Sequence, residues 1–208
     1  MKKIMFNDRY GLTQAVLDGR KTMTRRLINL CENDLHFMKI SDRGEYLFCS
    51  KTALDGAFPR YKVGEILAVA QSYHALNKAG YVAPEWLEHT CESSAGYENK
   101  MFVRADLMPH RIRITNIKVE RLQDISDEDC LKEGLTIASV NNGQGNYGYH
   151  TEYNLVYYDN FGRTKIIGSR NVREAFADLI DRVCCRGTWN INPYVFVYEF
   201  ELLIGGER

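Results

Sequence analysis

The sequence has neither an excess of one charge nor a long apolar run. Its 208 residues contain 27 Lys and Arg against 27 Asp and Glu, so the formal net charge is zero. This excludes a uniformly basic surface that coats nucleic acid through many phosphates, although it allows a local basic patch. The longest apolar stretches, such as residues 194–200, have the length of a strand and fall far short of the ~20 residues of a membrane helix. We therefore expect no membrane-spanning segment.

A secretion signal and a disulfide or metal framework are also missing. The apolar part of the first ten residues covers only 4–6, against the ~7–15 residues of a signal peptide core, so we expect a cytoplasmic protein. The six cysteines are irregularly spaced and form no CxxC motif, which favours reduced thiols. Neither His89-x-Cys91 nor Cys184-Cys185 has the spaced partner pair of a structural zinc site. We predict no metal and no other cofactor.

The length suits one domain better than two. Domains usually contain about 100–200 residues, so a chain of 208 residues has little room for two independent cores. The sequence shows no internal repeat and no low-complexity tract. We predict a single domain over residues 1–208, built around one core.

Hydrophobic patterns predict a mixture of strands and helices. Strands are expected where short apolar or alternating runs lie between turn residues, at 2–6, 45–50, 66–73, 100–105, 111–122 and 194–203. A slip in the alternation near Thr115 and Asn116 predicts a β-bulge. Helices are expected at 9–18, at 126–134 and at 171–183. Because there is no regular βαβ alternation, we predict an α+β fold with a mixed or mostly antiparallel sheet that can close as a small barrel.

The densest chemical signal is the segment 19–26 (GRKTMTRR), which follows the first predicted helix. Lysine and arginine side chains stand beside threonine hydroxyls there, a combination suited to binding phosphate or another oxyanion. Composition alone favours a solvated basic face over a site, because short basic runs are usually exposed.

Four ordered segments resemble the ASCH domain family, a PUA-like group. Residues 17–26 resemble its GRKTxTxR signature, and residues 61–67 (YKVGEIL) resemble its VGD-hydrophobic strand entry. Residues 119–134 resemble its VERLQDISEEDAxxEG strand-helix segment, and residues 192–200 (NPYVFVYEF) are similar to the closing NPxVxVxEF strand of longer, often phage-borne members. Together they cover roughly half of the chain. The resemblance implies a PUA-like β-barrel flanked by helices, a fold used to bind RNA or modified nucleosides.

The resemblance also implies a catalytic site. Small ASCH members that hydrolyse N4-acetylcytidine use a lysine and a threonine of the GRKTxT motif with a glutamate, and the matching residues here are Lys21, Thr24 and Glu133. A threonine hydroxyl becomes a nucleophile when a base takes its proton, and a lysine can do this if burial or nearby positive charge lowers its pKa. Glu133 would orient the lysine or pass a proton to the leaving amine. In a regular strand Lys21 and Thr24 would point to opposite faces, so their convergence requires Lys21 to lie in the turn before the strand.

Further residues are expected to bind the substrate around that site. Arg20, Thr22, Arg25 and Arg26 belong to the same segment, and Arg25 stands where the small hydrolases carry an apolar residue, which suits a phosphate-bearing substrate. Tyr73 ends a predicted buried strand, where it would either stack on a base or pack in the core. The chain is about twice as long as the small hydrolases, with insertions near 31–60, 77–99 and 141–170.

Three functions remain open at this point. The first is a non-catalytic module that binds RNA or a modified nucleoside or nucleotide. The second is an amidohydrolase that removes an acyl group from a cytidine-type base. The third is a single-strand ribonuclease, as some ASCH relatives are, but the sequence offers the cations for this reaction without a convincing pair of histidines. We predict an RNA- or nucleoside-binding cleft, with acyl-cytidine hydrolysis as its most specific candidate activity.

Overall fold

The computed structural model describes residues 1–28, 35–40, 44–49, 56–81, 94–141, 149–158, 163–169 and 171–203. In these residues the α-helices are α1 (Leu12–Leu17), α2 (Tyr73–Lys78), α3 (Asp127–Lys132), α4 (Val172–Val183) and α5 (Thr188–Ile191). The strands are β1 (Lys2–Ile4), β2 (Met23–Leu27), β3 (Leu35–Ile40), β4 (Gly44–Cys49), β5 (Gly56–Ala57), β6 (Ile66–Val69), β7 (Arg111–Arg121), β8 (Thr136–Asn141), β9 (Tyr149–Tyr158), β10 (Thr164–Ser169) and β11 (Tyr194–Leu203). The predicted α+β class is confirmed.

A five-stranded mixed sheet contains the strands that carry the motif segments. Its order is β1-β6-β7-β11-β2, in which β1 and β6 run parallel and the other neighbours run antiparallel. β1 and β2 are the outer strands, so the described residues form an open sheet and not the expected barrel. The register of β7 against β11 shifts between the pairs Asn116–Glu199 and Ile114–Phe200. The residue left over is Thr115, so the predicted bulge is confirmed.

Two smaller antiparallel sheets lie in or next to the predicted insertions. β3, β4 and β5 form one sheet within the 31–60 insertion, and β8, β9 and β10 form the other. The second sheet begins at Thr136, before the insertion predicted at 141–170. Of the third predicted insertion, at 77–99, residues 82–93 lie outside the described part of the chain.

Two of the predicted strands were wrong wholly or in part. Residues 100–105 contain 3-10 helices at Lys100–Phe102 and Ala105–Leu107 instead of a strand. The strand predicted at 66–73 ends at Val69, because the next residues lead into α2. Ser72 caps that helix, since its Oγ accepts a hydrogen bond from the Ala75 amide at 3.1 Å. A short apolar run does not by itself distinguish a buried strand from the first turn of a helix.

The main core surrounds β11 and α4. Four consecutive side chains of β11 are buried, so both faces of this strand are covered. α4 joins the same core through an amphipathic stripe whose spacing follows the helical period. The buried members of that stripe are Val172, Ala175, Phe176, Leu179 and Ile180.

Gly134 ends α3 in a backbone conformation that other residues rarely adopt, with a φ of 105°. A Cβ atom at this position would lie 3.3 Å from both Ala15 Cβ and Leu12 Cδ2. We expect Gly134→Ala to lower the free energy of unfolding by more than the ~1–2 kcal/mol of an unfavourable left-handed backbone, because the added methyl also crowds α1. Urea unfolding measures this loss.

Gly80→Ala is the matched control for this prediction. Gly80 follows α2 with a φ of 81°, and nothing lies within 4 Å of a Cβ built there. We expect Gly80→Ala to show the backbone cost alone. Equal losses for the two variants would contradict the close approach of Gly134 to α1.

Candidate functional site

Lys21 lies in the connection between α1 and β2. Gly19 turns the chain out of α1 with a φ of 73°, and the Lys21 amide donates a hydrogen bond to the Ala15 carbonyl at 2.9 Å. β2 begins only at Met23, so the alternation of a strand does not separate Lys21 from Thr24. The requirement that Lys21 precede the strand is met, and both side chains line one cavity.

Glu133 is the direct partner of the Lys21 amine. Lys21 Nζ donates hydrogen bonds to Glu133 Oε2 at 2.6 Å and to the Glu133 carbonyl at 2.7 Å. The side chains are 1% and 5% exposed. Glu133 is the C-cap of α3, and the Thr22 amide donates to the Lys132 carbonyl at 3.0 Å, which ties the motif segment to the end of this helix. The structure thus joins two residues that lie 112 positions apart.

Arg25 belongs to the same buried ion network. Its Nη1 donates to Glu133 Oε1 at 3.0 Å, and its Nη2 donates to Glu120 Oε1 at 2.6 Å. Asp129 Oδ2 lies 3.6 Å from Nη2, and the Arg25 side chain is only 1% exposed. Because three carboxylates surround this guanidinium away from water, its charge is balanced within the protein. The expectation that Arg25 binds the substrate stays a prediction, since Arg25 lines the same cavity as Lys21 and Thr24.

Burial and the neighbouring charges act on the pKa of Lys21 in opposite directions. Glu133 lies between the two cations Lys21 and Arg25 in a region that excludes water. Burial lowers the pKa of Lys21; the Glu133 carboxylate opposes this change, while Arg26 and Arg25 add to it. The Lys21 amine is therefore a base at a lower pH than an exposed lysine would be.

The cavity beside this network, hereafter the site cavity, has a volume of about 540 Å³. Lys21, Thr24 and Glu133 form part of its wall. Among the described residues no hydrogen bond joins the Thr24 hydroxyl to another side chain. The apolar lining residues include Phe6, Leu12, Leu27, Leu179, Ile180 and Val183. Sites of this size, with apolar walls and a few convergent polar groups, are typical of small-molecule binding.

The other predicted binding residues divide into two groups. Arg26 lines the site cavity, and its Nη2 donates to the Met5 carbonyl at 2.7 Å. Arg20 is exposed and pairs with Asp18 at 3.1 Å, outside this cavity. Thr22 lines a separate cavity between α1 and the end of β11. The structure therefore brings Arg26, but neither Arg20 nor Thr22, to the predicted site.

Tyr73 also lies away from the site cavity. It is buried in a second apolar cluster, separate from the main core, together with Leu76 and Val103. Its hydroxyl accepts a hydrogen bond from the Arg104 amide at 2.9 Å. Of the two roles considered for Tyr73, packing in the core is the one that the structure shows, because the start of α2 turns its ring inward.

Glu120 and Asp129 are the residues of this network that the sequence interpretation missed. Both lie in the segment 119–134 that resembles the family, but nothing in the spacing pairs them with Arg25. Glu120 also binds Lys118, with Nζ 3.1 Å from Oε2, and Asp129 binds Lys132 at 3.2 Å. These outer pairs hold the two carboxylates in place around the guanidinium.

The described residues contain no group of three or more His, Cys, Asp or Glu side chains arranged to hold a metal ion. In the same part of the chain, no helix is both long and apolar enough to cross a membrane.

Comparison of the chain with family models, with curated proteins and with solved structures finds no match. The fold and the site thus define an α+β protein with a buried lysine–glutamate–arginine network beside a cavity of about 540 Å³.

Proposed function

We propose that this chain is an ASCH-type protein that binds a modified nucleoside, nucleotide or RNA and hydrolyses the N4-acyl amide of a cytidine-type base. The observation that carries the proposal is the contact of Lys21 with Glu133 at a cavity that Thr24 also lines. The proposal includes the finer features implied by the resemblance: a PUA-like architecture and a cytoplasmic location. Two of the resembling segments, 17–26 and 119–134, meet at this cavity, which supports the assignment.

In the proposed reaction Thr24 is the nucleophile and Lys21 the base. Neutral Lys21 takes the Thr24 hydroxyl proton as Oγ1 attacks the acyl carbon. The bond from that carbon to N4 then breaks, and the proton on Lys21 passes to N4, which leaves as the amino group of cytidine. Water attacks the threonyl ester while Lys21 takes its proton. The acid is released as Thr24 regains that proton.

Glu133 and Arg25 position this base. Glu133 holds Lys21 Nζ through its carboxylate and its carbonyl, and it stabilises the ammonium that forms after each proton transfer. Arg25 binds the other carboxylate oxygen of Glu133, which fixes the orientation of the carboxylate that holds Lys21. Such fixed dipoles and charges supply much of the rate enhancement in buried sites.

The direct test incubates the wild-type protein with N4-acetylcytidine and measures cytidine and acetate together. We expect both products in equal amounts and no metal requirement for their formation. Absence of turnover would remove the hydrolase assignment. Binding of cytidine without turnover would then favour the non-catalytic module.

The pH dependence of the reaction follows from the lowered pKa of Lys21. Because the neutral amine is the active form, kcat/KM should rise with pH and level off below the ordinary lysine pKa of ~10.4. A pH profile from 5 to 10 checks this. The control is Asp129→Asn: because Asp129 does not contact Lys21 directly, kcat/KM of this variant should also rise with pH. A rate that falls as the pH rises through this range would contradict Lys21 as the base.

A further inference from the structure

A second cavity adjoins the site cavity. It has a volume of about 370 Å³ and shares Met5, Arg26 and Leu27 with the site cavity. Its charged lining residues are Lys3, Arg26 and Arg60, and no described carboxylate lines it. This second space is hereafter the cation-lined cavity. Since Arg26 stands in both walls, the two cavities are neighbours on either side of this residue.

The cations of the second cavity have no carboxylate partner in the described ranges of the chain. Arg26 donates to a backbone carbonyl, as described above, and Lys3 Nζ donates to the carbonyls of Met101 at 2.6 Å and Val103 at 2.7 Å. The Arg60 guanidinium carbon lies 5.7 Å from the centre of the Tyr61 ring. Carbonyls and an aromatic face orient these groups without neutralising their charge.

The two cavities differ in whether carboxylates pair with the cations beside them. On the inner side, Glu133 and Glu120 neutralise Lys21 and Arg25. On the other side Arg26, which follows Arg25 in β2, is exposed and has no such partner within the described residues. A cavity lined by one sign of charge attracts ligands of the opposite sign.

Buried contacts hold Arg60 in position. Its backbone amide donates a hydrogen bond to the Tyr198 hydroxyl at 2.9 Å. Tyr198 is buried in β11 and its ring lies 5.3 Å from that of Tyr61. The backbone is thus anchored to the central sheet while the side chain remains exposed, so replacement of this side chain leaves the anchoring contact in place.

We infer that the cation-lined cavity binds a phosphate group of the substrate, attached to the nucleoside whose base occupies the site cavity. This inference rests on the proposed function for the position of the base. Guanidinium groups bind phosphate oxygens through paired, charge-assisted hydrogen bonds, and Arg26 and Arg60 supply two such groups. The substrate class is accordingly a nucleotide or an RNA strand and not the free nucleoside.

The first experiment compares N4-acetylcytidine with its 5′- and 3′-monophosphates. We expect one monophosphate to have a KM at least about tenfold lower than the nucleoside, which corresponds to about 1.4 kcal/mol, and the advantage to shrink as salt is raised. Arg60→Ala should reduce this ratio towards one, and Arg60→Lys should retain part of it. Arg104→Ala is the control, because Arg104 is an exposed arginine paired with Asp106.

Equilibrium binding separates this inference from the proposed function. Calorimetry with cytidine and its two monophosphates needs no turnover. Tighter binding of a monophosphate, lost in Arg60→Ala, supports the phosphate site even if no deacylation occurs. Turnover with no preference for either monophosphate, or a preference unchanged in Arg60→Ala, overturns the phosphate site while the hydrolase proposal stands.

A last experiment decides whether the phosphate belongs to an RNA strand or to a free nucleotide. The probe is a trinucleotide with N4-acetylcytidine at its centre. A lower KM than that of the preferred monophosphate assigns the phosphate to an RNA strand. An equal or higher KM assigns it to a free nucleotide. Either assignment requires that a phosphorylated substrate has a lower KM than the nucleoside and that Arg60→Ala reduces this difference. If no phosphorylated probe shows such a difference, the phosphate site is refuted.

Discussion

Replacement of Thr24 by valine is expected to reduce kcat/KM for N4-acetylcytidine by at least about 100-fold, in the range lost when an essential proton-transfer or nucleophilic group is removed. Valine has nearly the shape of threonine but no hydroxyl, so it removes the proposed nucleophile with little change in the wall of the site cavity. Thr24 is 5% exposed. Steady-state kinetics with cytidine release as the readout measures the effect.

Thr24→Ser is the matched variant, because serine, unlike valine, carries a hydroxyl on Cβ as threonine does. We expect it to keep measurable turnover, and we expect a labelled acyl group to be trapped on wild type and on Thr24→Ser but not on Thr24→Val. The stability of the valine variant should lie close to that of wild type. Full turnover by Thr24→Val would show that another group attacks the acyl carbon.

Glu133→Gln is expected to be the most destabilising of the substitutions considered for the site. It leaves the Lys21 ammonium and the Arg25 guanidinium buried next to each other without their shared anion. Removal of one partner from a buried ion pair costs about 3–5 kcal/mol. Urea unfolding at pH 7 should show a loss of this order, and kcat/KM should fall with it because Lys21 loses the group that positions it.

The pH dependence of that loss identifies its cause. Without the Glu133 charge, the pKa of Lys21 in the folded state falls further below its value in the unfolded chain. The unfolded state then binds more protons between these two pKa values, so the free energy of unfolding rises with pH in that window. Glu133→Gln should therefore regain part of its stability between pH 7 and about pH 10, more than wild type gains over the same range.

Glu128→Gln is the control on the same helix. Glu128 pairs with Lys132 at 3.1 Å, and its side chain is 79% exposed. Surface pairs of this kind contribute little to stability, so its loss should be within about 1 kcal/mol and should not recover at high pH. Similar losses for Glu133→Gln and Glu128→Gln would mean that Lys21 and Arg25 do not depend on the buried carboxylate.

Much of the fold could be read from local patterns. β11 and α4 have the bounds that their alternation and helical period predicted, apart from the cap residue Asn171. α3 begins after its predicted cap, and Ser126 Oγ accepts a hydrogen bond from the Asp129 amide at 3.1 Å. Propensity and capping act over a few neighbouring residues, so the sequence carries them directly. The open mixed sheet depends on pairing between distant strands, which such patterns do not reveal.

By itself, the sequence determined that a basic segment follows a helix ended by glycine, and that its charges are balanced elsewhere in the chain. Only the tertiary structure decided which cations are neutralised. Lys21 and Arg25 meet Glu133 across 112 and 108 positions, whereas Arg26 points to a cavity shared with Arg60. The reason is physical: a charge removed from water requires a nearby counter-charge, and folding alone sets which carboxylates lie within reach.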